Sequence, residues 1–303
     1  MCYNQCKLKF AKEGLDLQIQ KSYSDKNSTL YLVATPIGNL SDMTPRAVET
    51  LKSVAMIASE DTRHTKKLCT HFEIETALTS YHEHNKHEKA SYILDILASG
   101  RNVALVSDAG MPLISDPGDK LVELALEQDF AIVPIPGANA ALTALIASGL
   151  TTQPFLFYGF LQNRTKSKKK IEIEKLTHCQ HTMIFYESPH RTRETLTMML
   201  EIFGDRKATI ARELTKKYEE FTRGNMSEIV DELEEIKGEI VLIVEGSNLE
   251  ETGDNSWWQD LDIATHVETY IGQNLSPKES IKKVAKDRGV PKQEVYKIYH
   301  NQN

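Results

Sequence analysis

The segment Ser107-Asp108-Ala109-Gly110-Met111-Pro112-Leu113-Ile114-Ser115-Asp116-Pro117-Gly118 concentrates residue types that hold a polar ligand. It closes an apolar run at 102–107 that reads as a strand. Three other apolar runs end in similar chemistry. Residues 30–34 enter Thr35-Pro36-Ile37-Gly38-Asn39-Leu40, residues 132–135 enter Pro136-Gly137-Ala138-Asn139-Ala140, and residues 183–186 enter Glu187-Ser188-Pro189-His190-Arg191. Glycine lets backbone approach a ligand closely, and proline stiffens the loop so that little order is gained on binding. Backbone N–H groups in such turns hold carboxylates or phosphates. One such turn is an ordinary strand-to-helix connection. Together at strand ends they predict a shared cleft beyond the carboxyl edge of an α/β sheet.

The nearby groups able to move a proton lie in Glu60-Asp61-Thr62-Arg63-His64 and at Glu187. Each of these acids also suits a helix cap or an ion pair, so the assignment stays open. Arg63 and Arg191 carry the planar fork that grips a phosphate bidentately. Other chemistries are excluded by what is missing. Neither Gly-x-Gly-x-x-Gly nor a P-loop follows the first strand, and no Gly-x-Ser-x-Gly elbow occurs. His82, His84 and His87, and the cluster His178-Cys179-Gln180-His181, lack the paired spacing of a zinc site, so no metal is expected.

The elements that position these turns alternate between strand and helix. Strands are predicted at 30–34, 54–58, 102–107 and 131–134, with helices at 45–52, 62–69, 86–98, 120–127 and 140–148. That alternation signals a mainly parallel sheet with helices on both faces. Thr151-Thr152-Gln153-Pro154 interrupts the pattern. A second α/β region follows, with strands at 155–158, 182–186, 208–211 and 239–244. After a polar linker come three helices at 261–271, 277–288 and 292–299. The expected organisation is a disordered extension at 1–28, α/β domains at 29–150 and 151–247, and a small helical module at 256–303.

Composition is that of a globular protein, with 40% hydrophobic and 26% charged residues, and no apolar run approaches a membrane span. Four irregularly spaced cysteines suit a reduced, cytoplasmic compartment. The net charge of −7 argues against indiscriminate nucleic-acid binding. It conceals an uneven distribution: residues 164–170 read Arg-Thr-Lys-Ser-Lys-Lys-Lys, and the tail from Ser276 is also Lys/Arg-rich. One face can therefore meet a polyanion, although two solvated surfaces would look the same.

At this point the motifs carry a resemblance. Residues 30–40, Ser59-Glu60-Asp61-Thr62-Arg63, the Ser107-to-Gly118 segment, Tyr186-Glu187-Ser188-Pro189-His190-Arg191 and Ala211-Arg212-Glu213-Leu214-Thr215-Lys216 follow one another in order. Together they resemble the ribosomal RNA small subunit methyltransferase I family, in the tetrapyrrole-methylase-like class of S-adenosylmethionine (AdoMet) methyltransferases. The resemblance runs from about residue 29 to 246, and the helical tail is similar to the family's C-terminal module. Met111 stands where the family usually has Thr, and Ser188 where it usually has Ala. Neither departure removes a charge, and altered packing is expected from them.

The resemblance implies a homodimer of two α/β domains with AdoMet in the cleft between them. It implies 2′-O-methylation of a cytidine ribose in the decoding region of 16S rRNA in the small ribosomal subunit. Carried over residue by residue, it places Pro36, Asp108, Ala109, Gly110, Ile114, Ser115 and Ala138 at the cofactor, joined from the second domain by Phe157, Leu214 and Glu239. A ribose hydroxyl is a poor nucleophile at neutral pH, so a base is expected, with Glu60, Arg63 and Glu187 as the catalytic candidates. Arg164, Lys166, Lys168, Lys169, Lys170 and Arg191 are the candidate RNA contacts, with the C-terminal helices beside them. Tyr81 and Tyr186 are candidates for stacking on splayed bases. Two other readings share the scaffold: a small-molecule, tetrapyrrole-type methyltransferase, and a non-catalytic ribosome-assembly factor. The basic stretch and helical tail favour RNA.

Overall fold

The computed structural model describes residues 19–22, 28–162, 165–234, 236–247, 258, 261–272 and 275–301. Two five-stranded sheets lie in the compact unit that ends at Gly246, and a second unit begins at Ser247. The first sheet contains β1 (Thr29–Val33), β2 (Met56–Ser59), β3 (Leu78–Ser80), β4 (Val103–Val106) and β5 (Ala131–Ile135). Its order is β3-β2-β4-β1-β5, and every pairing is parallel.

Between the strands run α1 (Pro45–Ser53), α2 (Thr62–His71), α3 (Lys86–Ala98) and α4 (Asp119–Glu127), with α5 (Ala140–Ala147) after β5. Alternate side chains of β4 enter opposite cores, as strand periodicity demands. Ala104 and Val106 pack in a cluster with Ala47, Leu51 and Leu68, while Val103 and Leu105 join Ile93, Leu97 and Leu121. Burial on both faces explains why β4 is apolar at every position. A fully buried Leu such as Leu105 contributes about 1.5–3 kcal/mol. The connections from β1 and β4, which are neighbours, leave in opposite directions, toward β2 and β5. Their carboxyl ends therefore form the topological switch point, where such sheets bind ligands.

The second sheet holds β6 (Phe155–Phe160), β7 (Thr182–Glu187), β8 (Lys207–Arg212), β9 (Glu220–Asn225) and β10 (Ile240–Val244) in the order β6-β7-β10-β8-β9. Only β6 and β7 are parallel; the other pairs are antiparallel. Helices α6 (Lys166–Glu174), α7 (Pro189–Phe203) and α8 (Met226–Glu232) accompany it. One face is covered by residues of all three, among them Ile173, Leu196 and Ile229. The other packs against Ala141, Ala144 and Leu145 of α5 and against Ile37 from the loop after β1. That contact couples the two sheets and explains the continuous apolar run of β10.

Two strands lie outside the sequence expectation. β3 has only three residues, all half-buried, and β9 is a polar edge strand, so neither carries the hydrophobic pattern that marks a strand. Residues 166–170 of the basic stretch form the start of α6. From the expected extension, the Gln20 side chain bonds both the N–H and the C=O of Ile132 on the β5 edge, at 2.7 and 2.8 Å. In the second unit, α9 (Ile263–Gly272), α10 (Pro277–Asp287) and α11 (Lys292–Asn301) enclose Val267, Ile281, Val284 and Val295. Among the described residues, no helix is long and apolar enough to cross a membrane.

Candidate functional site

Local chemistry places the strand-end loops. Thr44 caps α1 ahead of Pro45, Asp61 caps α2 by accepting the Arg63 N–H at 2.8 Å, and Asn139 caps α5 by accepting the Leu142 N–H at 2.9 Å. Each helix thus starts where its preceding loop ends. The loops after β1 and β4 are stitched together by a pair of backbone hydrogen bonds between Thr35 and Gly110, at 2.9 and 3.1 Å. Gly110 has φ +84°, and a side chain there would press on Ile37 Cγ2 at 3.3 Å. Leu113 and Ser115 also adopt positive φ, at 71° and 65°. Strained backbone of this kind in non-glycine residues clusters at ligand-binding loops.

These loops and the facing edge of the second sheet line a cavity of about 550 Å³. Seven of the ten expected cofactor residues line it: Asp108, Ala109, Gly110, Ile114, Ser115, Leu214 and Glu239. Pro36, Ala138 and Phe157 are not among the lining residues. Pro36 is buried, and Ala138 and Phe157 pack in the cluster between the sheets. Both departures from the family pattern, Met111 and Ser188, line the cavity.

One wall is acidic. Glu60, Asp108 and Asp116 all line the cavity. Asp108 accepts the Asp61 backbone N–H at 3.1 Å, joining the loops after β2 and β4. Burial, then repulsion from Asp116 and Asp108, pushes the Glu60 carboxyl up. Burial likewise raises Asp116, against the hydrogen bond it shares with Ser107 and with a further contribution from Asp108. A group of carboxylates that disfavour one another's charge is a ready partner for a cationic ligand.

Glu187 lines the cavity too, but its oxygens are engaged. Oε2 accepts from Lys169 Nζ at 2.7 Å and Thr195 Oγ1 at 2.6 Å, and Oε1 from the Ser188 N–H at 2.9 Å and Arg191 Nε at 3.3 Å. Burial opposes its ionisation, yet Lys169, Thr195 and the Ser188 N–H outweigh it and hold the carboxyl below the usual range. So saturated, Glu187 anchors the start of α7 and is a poor proton acceptor. Arg63, the third catalytic candidate, is outside the cavity lining. Its guanidinium clasps Asp61 at 3.1 and 2.8 Å and stays exposed.

The basic stretch divides. Lys168 and Lys170 are exposed, and Lys166 pairs with Glu194 at 2.9 Å while remaining open to solvent. Lys169 corrects the sequence reading: its side chain is only 6% exposed and is spent on Glu187, so no phosphate can reach it. Arg191 is partly exposed beside Glu187, and Arg164 lies outside the described residues. Tyr81 is also corrected. At 1% exposure it cannot stack on a base, whereas Tyr186 lines the cavity. Phe160, Gly238, Ile240 and Val241 line the cavity without having been singled out from sequence, and Asp116 was quoted only as part of its loop, with no role of its own. For Asp116 and Phe160 the signals were present, in the Asp-Pro-Gly end of the loop and in the glycine interrupting an aromatic strand.

Comparison with known proteins identifies the family and the fold. Residues 29–230 match the family model described as Tetrapyrrole (Corrin/Porphyrin) Methylases. Ribosomal RNA small subunit methyltransferase I of Bacillus subtilis is 57% identical, covering 94% of this chain and 99% of that protein. The protein of the same name from Halalkalibacterium halodurans is 54% identical, covering 94% and 100%. Among solved structures, diphthine synthase aligns with a TM-score of 0.56 at 12% identity, covering 73% of this chain and 91% of that one. Uroporphyrin-III-C-methyltransferase from Thermus thermophilus aligns at 0.52 and 16%, covering 75% and 97%. These structural likenesses establish the fold. The chain belongs to the tetrapyrrole (corrin/porphyrin) methylase family and, within it, to the group of ribosomal RNA small subunit methyltransferase I proteins.

Proposed function

We propose that this protein is an AdoMet-dependent methyltransferase that modifies the 2′-hydroxyl of a cytidine ribose in the decoding region of 16S rRNA, acting in the cytoplasm as a homodimer on the small ribosomal subunit. The observation that carries the reading is the acid-walled cavity at the switch point, in a chain whose full-length relatives bear the rRNA methyltransferase name.

The cavity suits the cofactor in size and charge. Small-molecule sites occupy about 300–1,000 Å³. Glu60, Asp108 and Asp116 complement a sulfonium and an ammonium, while Ile37, Ile114, Leu214 and Val241 offer apolar surface to an adenosine. Asp108, Ala109, Gly110, Ile114 and Ser115 would hold it from one side, and Leu214 and Glu239 from the other. When bound, AdoMet supplies an electrophilic methyl group. The protein's part is then alignment, worth about 7–11 kcal/mol of barrier in well-oriented reactions, and removal of the acceptor's proton.

Of the three catalytic candidates, Glu60 suits proton removal best. It lines the cavity, among the described residues no hydrogen bond ties it, and its raised pKa makes it the stronger base. Glu60→Gln is expected to lower kcat by about 100-fold or more, with a much smaller change in AdoMet affinity. Because the base acts ionised, wild-type kcat/KM should rise with pH through the Glu60 pKa, and the variant should lose that limb. Tritiated-methyl transfer to small subunits from a strain lacking the enzyme provides the assay. Absence of label in rRNA, with AdoMet binding intact, overturns the proposed function. A variant as active as wild type removes Glu60 from the role.

Exposed Lys166, Lys168 and Lys170, with the partly exposed Arg191 next to Glu187, supply charge for RNA phosphates. The tetrapyrrole alternative draws on the description of the broad family and on fold neighbours such as one at 16% identity, whereas the relatives at 57% and 54% identity bear the rRNA methyltransferase name. Self-association is supported by α5, which is apolar at every position except Thr143. Its inner face packs on the second sheet, while Leu142 and Ile146 are 47% and 78% exposed. A helix of that pattern is normally buried on every side. Ile146→Glu is expected to shift a dimer to monomer in sedimentation velocity. An unchanged sedimentation coefficient places the interface elsewhere.

A further inference from the structure

The aromatic strand β6 contains a device that the proposed function leaves unused. Phe157 pairs with Ile184, but the register then slips, and Gly159 and Phe160 pair with Phe185 and Tyr186. Side chains alternate along a strand, so without the slip Phe160 would follow Tyr158 onto the face covered by α6 to α8. The bulge instead gives Phe160 the same face as Phe157 and Tyr186, toward the cavity. Bulges beside active sites commonly re-aim one side chain in this way. Gly159 makes it possible, with φ +79° and its Cβ direction 3.1 Å from Ser115 Oγ. The turn of the bulge therefore lies directly against the strained loop after β4.

Phe160 lines the cavity yet remains 53% exposed. It is braced from one side only. Its ring meets Tyr186 at 5.5 Å, and Tyr186 in turn meets Phe157 at 5.2 Å, both edge-on. Phe157 and Tyr186 are anchored in the apolar cluster between the sheets, so the outermost ring rests on a fixed neighbour while half open. Further along the same chain, α6 presents the exposed Lys166, Lys168 and Lys170. An open aromatic face followed a few residues on by exposed cations is a combination suited to single-stranded nucleic acid, one stacking the base and the others holding phosphates.

We infer that Phe160 is the stacking platform for the base of the acceptor nucleotide, which is splayed out of the RNA so that its ribose enters the cavity. The inference rests on the RNA methyltransferase reading. Stacking on an aromatic side chain changes affinity by about 5- to 100-fold per base. Phe160→Ala and Phe160→Leu are accordingly expected to raise the KM for small-subunit RNA by a factor in that range. AdoMet affinity measured by calorimetry should stay within about twofold, and Phe160→Trp should restore the KM. In the Phe160→Trp protein, a short cytidine-containing RNA should also quench the added indole emission relative to wild type. That readout requires no turnover and stands even where Phe160→Ala folds poorly.

The outcomes separate the possible failures. If wild type puts no methyl into rRNA, the function reading falls and this inference with it. If wild type is active but Phe160→Leu matches it, the ring provides apolar contact and not stacking. If AdoMet affinity falls in step with RNA affinity, the ring holds the cofactor's adenine. An unquenched indole in an active Phe160→Trp enzyme likewise overturns the platform.

Discussion

Lys169→Met is expected to destabilise the α/β unit by about 3–5 kcal/mol, the cost of stranding one partner of a buried ion pair. Lys169 and Glu187 have side chains only 6% and 3% exposed, with 2.7 Å between Nζ and Oε2. Methionine keeps the stem's packing but leaves the Glu187 carboxylate without its buried cation. At about 2–4 °C per kcal/mol for a unit of this size, the melting temperature should fall by roughly 6–20 °C. The loss should depend on pH with a definite sign. In wild type the Glu187 carboxyl lies below its ordinary range, because Lys169, Thr195 and the Ser188 N–H outweigh the cost of burial. Its stabilisation is therefore complete above the unfolded carboxylate pKa and is lost as pH falls through the lower folded value. In the variant burial dominates, so the carboxyl takes up a proton more readily and the penalty shrinks toward acid. Thermal melts between about pH 5 and about pH 8, spanning the range above the ordinary carboxylate pKa, should show the gap narrowing at the acid end. Glu187→Gln added to Lys169→Met should recover much of the loss. A small, pH-independent difference would mean that the pair does not hold the start of α7.

Asp108→Ala is expected to weaken AdoMet binding by about 10- to 100-fold, the range for losing a hydrogen bond that involves a charged group. Two effects act together. The acidic wall loses a charge that would face a cationic cofactor, and the Asp61 N–H loses its acceptor at 3.1 Å, loosening the loops after β2 and β4 from each other. Asp108→Asn separates them, because it retains an acceptor while removing the charge. Titration calorimetry gives the affinities, and an unaltered constant for Asp108→Ala places the cofactor elsewhere. A second readout follows from coupling within the wall. Asp108 is one of the charges that raise Glu60, after burial and Asp116. Neutralising it should therefore shift the rising limb of the wild-type pH–rate profile toward acid.

Much of the site was legible because strand-end turns are written locally. Thr44-Pro45, Asp61 and Asn139 mark helix starts by cap chemistry that acts over three residues. The Gly- and Pro-bearing loops between runs and caps showed where ligand-facing backbone must lie. Lys169 shows the limit of such reading. In a run of basic residues it looked like its neighbours, but it shares a helix face with Ile173, and both are buried. The four-residue spacing hinted at an inward position. Nothing nearby in sequence announced Glu187, 18 residues on, as its partner. The assignment of Glu187 to proton transfer shows the same limit, since the donors that saturate it come from α6 and from two turns of α7.

By itself, then, the sequence determined the alternating elements, their caps, the loops that close on a ligand and the family to which they belong. These depend on side-chain periodicity and on backbone preferences acting over a few residues. Tertiary structure alone decided which acid stays available and which is spent, which lysine faces solvent, and that Phe160 turns toward the cavity. Those outcomes depend on groups far apart in the chain. Charges in a low-dielectric interior are governed by their spatial neighbours, and a bulge is defined only by the strand it pairs with. The loop from Ser107 to Gly118 spans both levels. Its glycines and prolines were legible as a ligand loop, but its acidic character as a wall arose only when Glu60, from the neighbouring strand, came to stand beside Asp108 and Asp116.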